Sequence, residues 1–132
     1  MEKELPAVMA LSYLGDAVYS LYIREKLVGA GISHAGELNR LSLLYVTAPR
    51  QAEKAKLLLP LLSEEETDIY RRAFNHKGLS RPSHASYGEY RAATGFEAVL
   101  GALHHLGKKA RLTELLDAIH ENDFTEKEDS IL

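Results

Sequence analysis

The sequence contains no cysteine, and its formal net charge is only −3. The absence of cysteine excludes a disulfide framework and a metal site built on thiolates, and it agrees with a reducing, cytoplasmic location. The small net charge excludes a chain that binds nucleic acid through an overall basic surface. With 132 residues and a hydrophobic fraction of 45%, the sequence predicts one globular domain over residues 1–132 with a single core.

The sequence also lacks the alternation of polar and apolar residues that is typical of β-strands. Its apolar residues recur at helical spacing, and prolines and glycines separate the periodic segments. These patterns predict an all-α domain of about six or seven helices. Thr47 and the pair Ser63–Glu66 are predicted to cap two of them. The predicted helices cover residues 6–28, 35–46, 48–62, 63–75, 89–106 and 108–120, and an acidic end follows at residues 121–132.

One nearly uncharged stretch, residues 5–23, raises the question of a membrane span. Asp16 lies near its centre, where an acid costs about 2.5–3.5 kcal/mol on insertion scales. The first residues are not basic, and no cleavage site of a signal peptide follows. The stretch therefore predicts a buried helix of a soluble protein, with no membrane partner.

Two almost uncharged segments each retain a single carboxylate. Asp16 is the only charged residue in residues 5–23, and Glu97 is the only carboxylate in residues 92–107. A buried ionised carboxylate is costly unless it is paired, hydrogen-bonded or bound to a metal. Both acids therefore need a positive partner.

Two interpretations of that partner remain open. In the first, each acid pairs with an arginine, for instance Arg40, Arg50 or Arg91. In the second, both acids meet across a cleft and share a divalent cation such as Mg²⁺, which prefers carboxylate oxygens and needs few protein ligands.

The first predicted helix is apolar on two faces. One stripe at helical spacing contains Leu11, Leu14, Val18 and Leu21, and Asp16 points away from it. The side that carries Asp16 is also apolar, and it includes Met9, Tyr13, Tyr19 and Ile23. The helix therefore needs cover on both sides, one from the core of the domain and the other from a partner subunit.

Two motifs suggest a family. "YLGDAV" (residues 13–18) resembles the centre of the ribonuclease III signature helix, and "GFEAVLGAL" (residues 95–103) resembles that family's second catalytic motif. "ATGFEA" and "YVTAPRQA" are similar to the Mini-III branch, and the likeness covers essentially the whole chain. The resemblance implies a ribonuclease III-type fold and a homodimeric, Mg²⁺-dependent endoribonuclease, with Mn²⁺ as a substitute. It also implies that double-stranded RNA is cut to 5′-phosphate and 3′-hydroxyl ends, as in maturation of precursor large-subunit (23S) ribosomal RNA.

The resemblance also implies roles for individual residues. Asp16 and Glu97 match the family's catalytic metal ligands. Ser12 and Thr94 stand where the ordinary family has further acids, and because a hydroxyl is a poor direct Mg²⁺ ligand they are assigned a supporting role around the ligands. Tyr13 stands where the family carries a phenylalanine that inserts into the partner subunit, which implies a place in the dimer interface.

One stretch of the chain is strongly basic. Residues 71–91 contain five basic residues and one acid, around a loop rich in serine and glycine. Double-stranded RNA is recognised mainly by its shape, its phosphates and its 2′-hydroxyls, which suits such a loop, although a solvated connector has the same composition. The residues predicted to contact RNA are His76, Lys77, Arg81, His84 and Arg91.

Two other functions compete with this interpretation. One is a catalytically inactive helical RNA-binding module, against which the presence of both Asp16 and Glu97 argues. The other is an all-α metal-dependent nucleotide pyrophosphohydrolase. That class places paired acids in E-x-x-E arrangements, whereas the nearest acidic cluster here, residues 64–66, falls in a predicted capping box.

Overall fold

The structure is a computed structural model that describes residues 4–79 and 85–124. Within these ranges the chain forms six α-helices and one short 3₁₀ turn, and no strand, which confirms the predicted all-α domain. Arg81 and His84 of the predicted RNA-binding loop lie outside the described residues. The helices are α1 (Val8–Gly29), α2 (Ala35–Val46), α3 (Ala48–Leu58), α4 (Glu64–Phe74), α5 (Tyr87–His105) and α6 (Lys109–Ile119), with the 3₁₀ turn at Leu59–Leu61.

Helix α5 lies at the centre of the domain. Its residues are buried almost continuously from Ala93 to Leu103, so apolar side chains line every side of the helix. A helix that is apolar all round is typical of a core position, and α1, α3 and α4 pack around it here. The uncharged character of residues 92–107 therefore reflects the central place of α5.

The helix starts test the predicted caps. Ser63 and Glu66 form the predicted capping box at α4, with reciprocal hydrogen bonds of 3.2 and 2.8 Å. Thr47 occupies the predicted N-cap position of α3 but forms no side-chain cap, because its hydroxyl donates back to the carbonyl of Leu43, 3.4 Å away, in the last turn of α2. Helix α5 begins two residues earlier than predicted because Ser86 caps it in a second capping box.

The two faces of α1 differ from the prediction. The buried face repeats every four residues, and Tyr19 and Ile23, which were assigned to the side of Asp16, are fully buried in the domain's own core. Leu21, from the predicted stripe, is 59% exposed instead. The physical reason lies at Gly15, where the absence of a side chain lets this face approach α5.

A buried polar cluster attaches the end of α6 to α1 and α3. Nδ1 of His120 donates to Asp123 at 2.8 Å, so its Nε2 accepts the Tyr19 hydroxyl at 3.1 Å. The Lys54 ammonium donates to the carbonyl of Ile119 at 3.0 Å and to Asp123. Burial lowers the pKa of His120 to about 4, so the ring is neutral at physiological pH. The role of this cluster is structural: it holds the end of α6 against α1 and α3.

No helix within the described ranges is long and apolar enough to cross a lipid bilayer. The cytoplasmic location and the extent of the domain over residues 1–132 stay predictions.

Candidate active site

Two glycines bring α1 and α5 into backbone contact. A Cβ atom on Gly15 would lie 1.7 Å from the carbonyl oxygen of Glu97, and one on Gly101 would lie 1.9 Å from that of Leu11. No other residue fits at either position without moving the helices apart. Asp16 follows Gly15 directly, and Glu97 lies one turn before Gly101, so this crossing places the two acids next to each other.

Both oxygens of the Glu97 carboxylate accept a hydrogen bond. The Ser12 hydroxyl of α1 donates to Oε1 at 3.3 Å, and the Gln51 amide of α3 donates to Oε2 at 3.2 Å. The same Gln51 nitrogen donates to the carbonyl of Val46, at the end of α2, at 2.9 Å. The Glu97 side chain is therefore held from two neighbouring helices.

The environment of Glu97 favours its protonated form when no cation is present. Burial is the largest cause. A hydrogen bond that the protonated Glu97 donates to Asp16, and the charge repulsion between the two carboxylates, act in the same direction. The donors Gln51 and Ser12 oppose them, and the net effect raises the pKa of Glu97 to about 8. The two carboxyl groups together therefore need a positive charge, either a proton or a cation.

None of the three arginines named as candidates supplies this charge. Arg40 forms a bidentate pair with Glu37, and Arg50 lies 3.5 Å from Glu53. The guanidinium of Arg91 donates to the carbonyl of Phe74 and, at 2.8 Å, to the hydroxyl of Tyr87. All three arginines considered have partners away from the two acids.

A small hard cation fits the donor set. No group of three or more His, Cys, Asp or Glu side chains converges anywhere in residues 4–79 and 85–124, so a zinc-type site is not formed there. Mg²⁺ retains several waters and is held by one or two protein carboxylates, which is what Asp16 and Glu97 offer. The chemistry of the pair, two adjacent acids with one holding its proton to about pH 8, fits a divalent cation.

Ser12 and Thr94, the two residues that were assigned a supporting role, make different contacts in the structure. Ser12 reaches Glu97, as described above, while the Thr94 hydroxyl donates to the carbonyl of Tyr90 at 2.8 Å within α5. Thr94 is buried one turn before Glu97. Its supporting role stays a prediction.

The basic loop is described only at its ends. His76 and Lys77 are exposed at the first end. Arg91 connects the two ends, because it bonds Phe74 on one side and its guanidinium stacks 4.3 Å from the ring centre of Tyr87 on the other. The RNA contacts assigned to these residues stay predictions, as do those of Arg81 and His84.

Gln51 was missed in the sequence. Its pairing with Glu97 spans 46 residues, and no local pattern reports such a contact. The available signal was its place inside "YVTAPRQA", the stretch that resembles the Mini-III branch.

Comparison with known proteins agrees with this class of fold and site. The family model described as the Ribonuclease III domain matches residues 9–107. A solved crystal structure of a Fusobacterium nucleatum protein superposes with a TM-score of 0.83 at 26% identity, covering 92% of this chain and 93% of that chain. The fold and the acid pair thus define a ribonuclease III-type endoribonuclease.

Curated relatives narrow the assignment to one branch. Mini-ribonuclease 3 of Symbiobacterium thermophilum is 43% identical over 119 residues, which is 90% of this chain and 90% of the relative. Mini-ribonuclease 3 of a Thermoanaerobacter species is 45% identical over 109 residues, 83% of this chain and 77% of the relative. The chain belongs to the ribonuclease III family, in its Mini-ribonuclease 3 branch.

Proposed function

We propose that this endoribonuclease uses Mg²⁺, or Mn²⁺ in its place, to hydrolyse double-stranded RNA, and that its substrate is the ends of precursor large-subunit (23S) ribosomal RNA. The observation that supports the metal dependence is the Asp16–Glu97 pair, in which burial first, and then the neighbouring Asp16, raise the pKa of Glu97 to about 8. A site that retains a proton at neutral pH for lack of a positive charge is suited to exchange it for a divalent cation.

Each side chain of the site has a role in this mechanism. Asp16 and Glu97 would hold the cation, and Glu97 must release its proton as it does so. The cation, when bound, supplies activation of a water molecule and stabilisation of the charge on the leaving 3′ oxygen. Ser12 and Gln51 keep the Glu97 carboxylate in one orientation through the hydrogen bonds described above. The expected products are a 5′-phosphate and a 3′-hydroxyl.

The rival functions find less support. An inactive RNA-binding module has no need for two acids placed together in a site where they repel each other. A pyrophosphohydrolase would use the acids of residues 64–66, but Glu66 is a capping residue of α4 and forms two hydrogen bonds with Arg111, at 2.9 and 3.0 Å. Glu66 therefore has a structural role, at the start of α4 and in the contact with Arg111.

A homodimer is part of the proposal. Three large apolar side chains of α1 face solvent in one protomer, with Tyr13 85%, Val28 61% and Leu21 59% exposed. Exposed apolar patches of this kind mark interaction sites, and a second copy can cover such a face through a symmetric contact. Tyr13 lies three residues before Asp16, so the contact would lie beside the active site.

The test is cleavage of a structured ribosomal precursor RNA by Asp16→Asn and Glu97→Gln, with and without Mg²⁺. Loss of a group that only supports a metal ligand costs about tenfold to a hundredfold, so loss of a ligand should slow cleavage by more than roughly a hundredfold. The control is Glu25→Gln, which removes one negative charge at an exposed position of α1 and should cleave normally. Near-normal cleavage by either site variant would contradict the proposal, and turnover of free nucleotides instead of duplex RNA would favour the hydrolase.

A further inference from the structure

Gln51 is a buried polar residue that packing alone does not explain. It is 2% exposed on α3, whose other buried residues, Ala52, Ala55 and Leu58, are all apolar. Its Nε2 faces two acceptors, the carbonyl of Val46 and Oε2 of Glu97, so the orientation of the amide is fixed. Its Oε1 is buried and has no hydrogen-bond partner among the described residues.

The two ends of the Gln51 amide have opposite effects: the oxygen lowers stability, and the nitrogen makes a useful connection. A buried carbonyl without a partner costs free energy, and a leucine of similar size would avoid that cost. The gain is in the nitrogen, which connects the last residue of α2 to one oxygen of Glu97. Residues that break a local rule of packing in this way are concentrated at functional sites.

We propose that Gln51 is a positioning residue. It holds Oε2 of Glu97 near the junction of α2 and α3, here called the α2–α3 corner (residues 46–48), so that the remaining lone pairs of the carboxylate lie beside Asp16. The inference rests on the proposed function, in which these two acids hold a divalent cation. Ser12 secures the other oxygen from α1, so rotation of the carboxylate is restrained from both sides. A carboxylate that accepts one hydrogen bond on each oxygen still has lone pairs free for a cation.

The α2–α3 corner thereby becomes part of the site. The carbonyls in the last turn of a helix have no partner within the helix, and the Gln51 amide satisfies that of Val46. One nitrogen thus fixes Glu97 relative to the end of α2. Neither Leu58 nor the other apolar side chains of α3 can replace this link, because they carry no donor.

The experiment measures binding of Mn²⁺ to the protein without RNA, by electron paramagnetic resonance, in wild type, Gln51→Leu and Gln51→Met. Both variants replace the amide, with its donors, by an apolar side chain of similar size, so at least one folded variant is expected. Groups that orient a metal ligand contribute about tenfold to a hundredfold in metal affinity, and a loss in that range is expected from both. In cleavage assays kcat should fall while KM for RNA stays within about twofold, because the RNA-binding surface is unchanged.

The controls separate this inference from the proposed function. Leu58→Val alters a fully buried side chain of the same helix, seven residues after Gln51, and should bind Mn²⁺ like wild type. If wild type binds no Mn²⁺, or Glu97→Gln binds it equally well, the proposed metal site is wrong. If Glu97→Gln loses Mn²⁺ while a folded Gln51 variant binds within about twofold of wild type, the metal site stands and the positioning role of Gln51 is overturned.

Discussion

Replacement of Glu97 by glutamine should make the metal-free protein more stable at alkaline pH. The pKa of Glu97 rises from the usual 4.5 to about 8 in the folded protein, so the folded state binds this proton more tightly than the unfolded state. The stabilising contribution of the proton is complete below the unfolded pKa and is lost as the pH rises from about 4.5 through 8. Glutamine has no such proton to lose and still accepts a hydrogen bond from Gln51.

The size of the effect follows from the shift. One pKa unit corresponds to about 1.4 kcal/mol, so wild type should lose about 2 kcal/mol relative to Glu97→Gln between roughly pH 6 and pH 8. This is an upper bound, because Asp16 is exposed and can turn away from an ionised Glu97. His120 also titrates, with a pKa lowered to about 4, and its contribution is lost as the pH falls from about 6.5. It is present in both proteins and cancels in the difference.

The assay is urea unfolding of both proteins in a chelator at several pH values, with the difference in unfolding free energy plotted against pH. The exposed change Glu25→Gln is the control and should show no such slope. Addition of Mn²⁺ to about a hundred times its dissociation constant should stabilise wild type by about 2.7 kcal/mol and leave Glu97→Gln nearly unchanged. Parallel pH profiles of wild type and Glu97→Gln would refute the reasoning, because they would show that Glu97 has an ordinary pKa.

Two further predictions concern the partners. Tyr13→Glu should give monomers in sedimentation at micromolar concentration and lose activity, because a charge would be buried in the proposed interface; a monomeric wild type would contradict the dimer. Lys77→Ala with Arg81→Ala should flatten the salt dependence of RNA binding by about 0.7–0.9 per lost phosphate contact, with cleavage at saturating RNA retained. Lys109→Ala, an exposed cation on α6, is the control, and an unchanged slope in the double variant would show that RNA is held elsewhere.

Helical periodicity was sufficient to predict the all-α fold and most helix bounds. It was insufficient to select the buried face of α1, because positions 11, 14, 18 and 21 and positions 11, 15, 19 and 23 both have helical spacing. The choice depends on Gly15, whose missing side chain permits contact with α5 at Gly101. That contact joins residues 86 positions apart in the sequence, and a local pattern contains no information about it.

The acids themselves were predictable for a different reason. An isolated carboxylate in an apolar segment demands a partner, and this argument needs only composition and burial. It could not decide between arginine and a cation, because that choice depends on where the arginines find their own partners. The same argument could not identify Gln51, because a buried neutral amide does not need a partner of opposite charge.

The scarcity of charge around the two acids agrees with the proposed metal site. A lysine or arginine within reach of Glu97 would pair with it and compete with a divalent cation for the same oxygens. The donors that do reach Glu97 are the neutral Ser12 and Gln51, which restrain the carboxylate without neutralising it. Burial and the neighbouring Asp16 raise the pKa of Glu97 to about 8. The proton held there can exchange for a cation, whereas a salt bridge from a tethered side chain could not. Under the proposed function, the two bare segments of the sequence would keep the place of the positive charge open for a cation from solution.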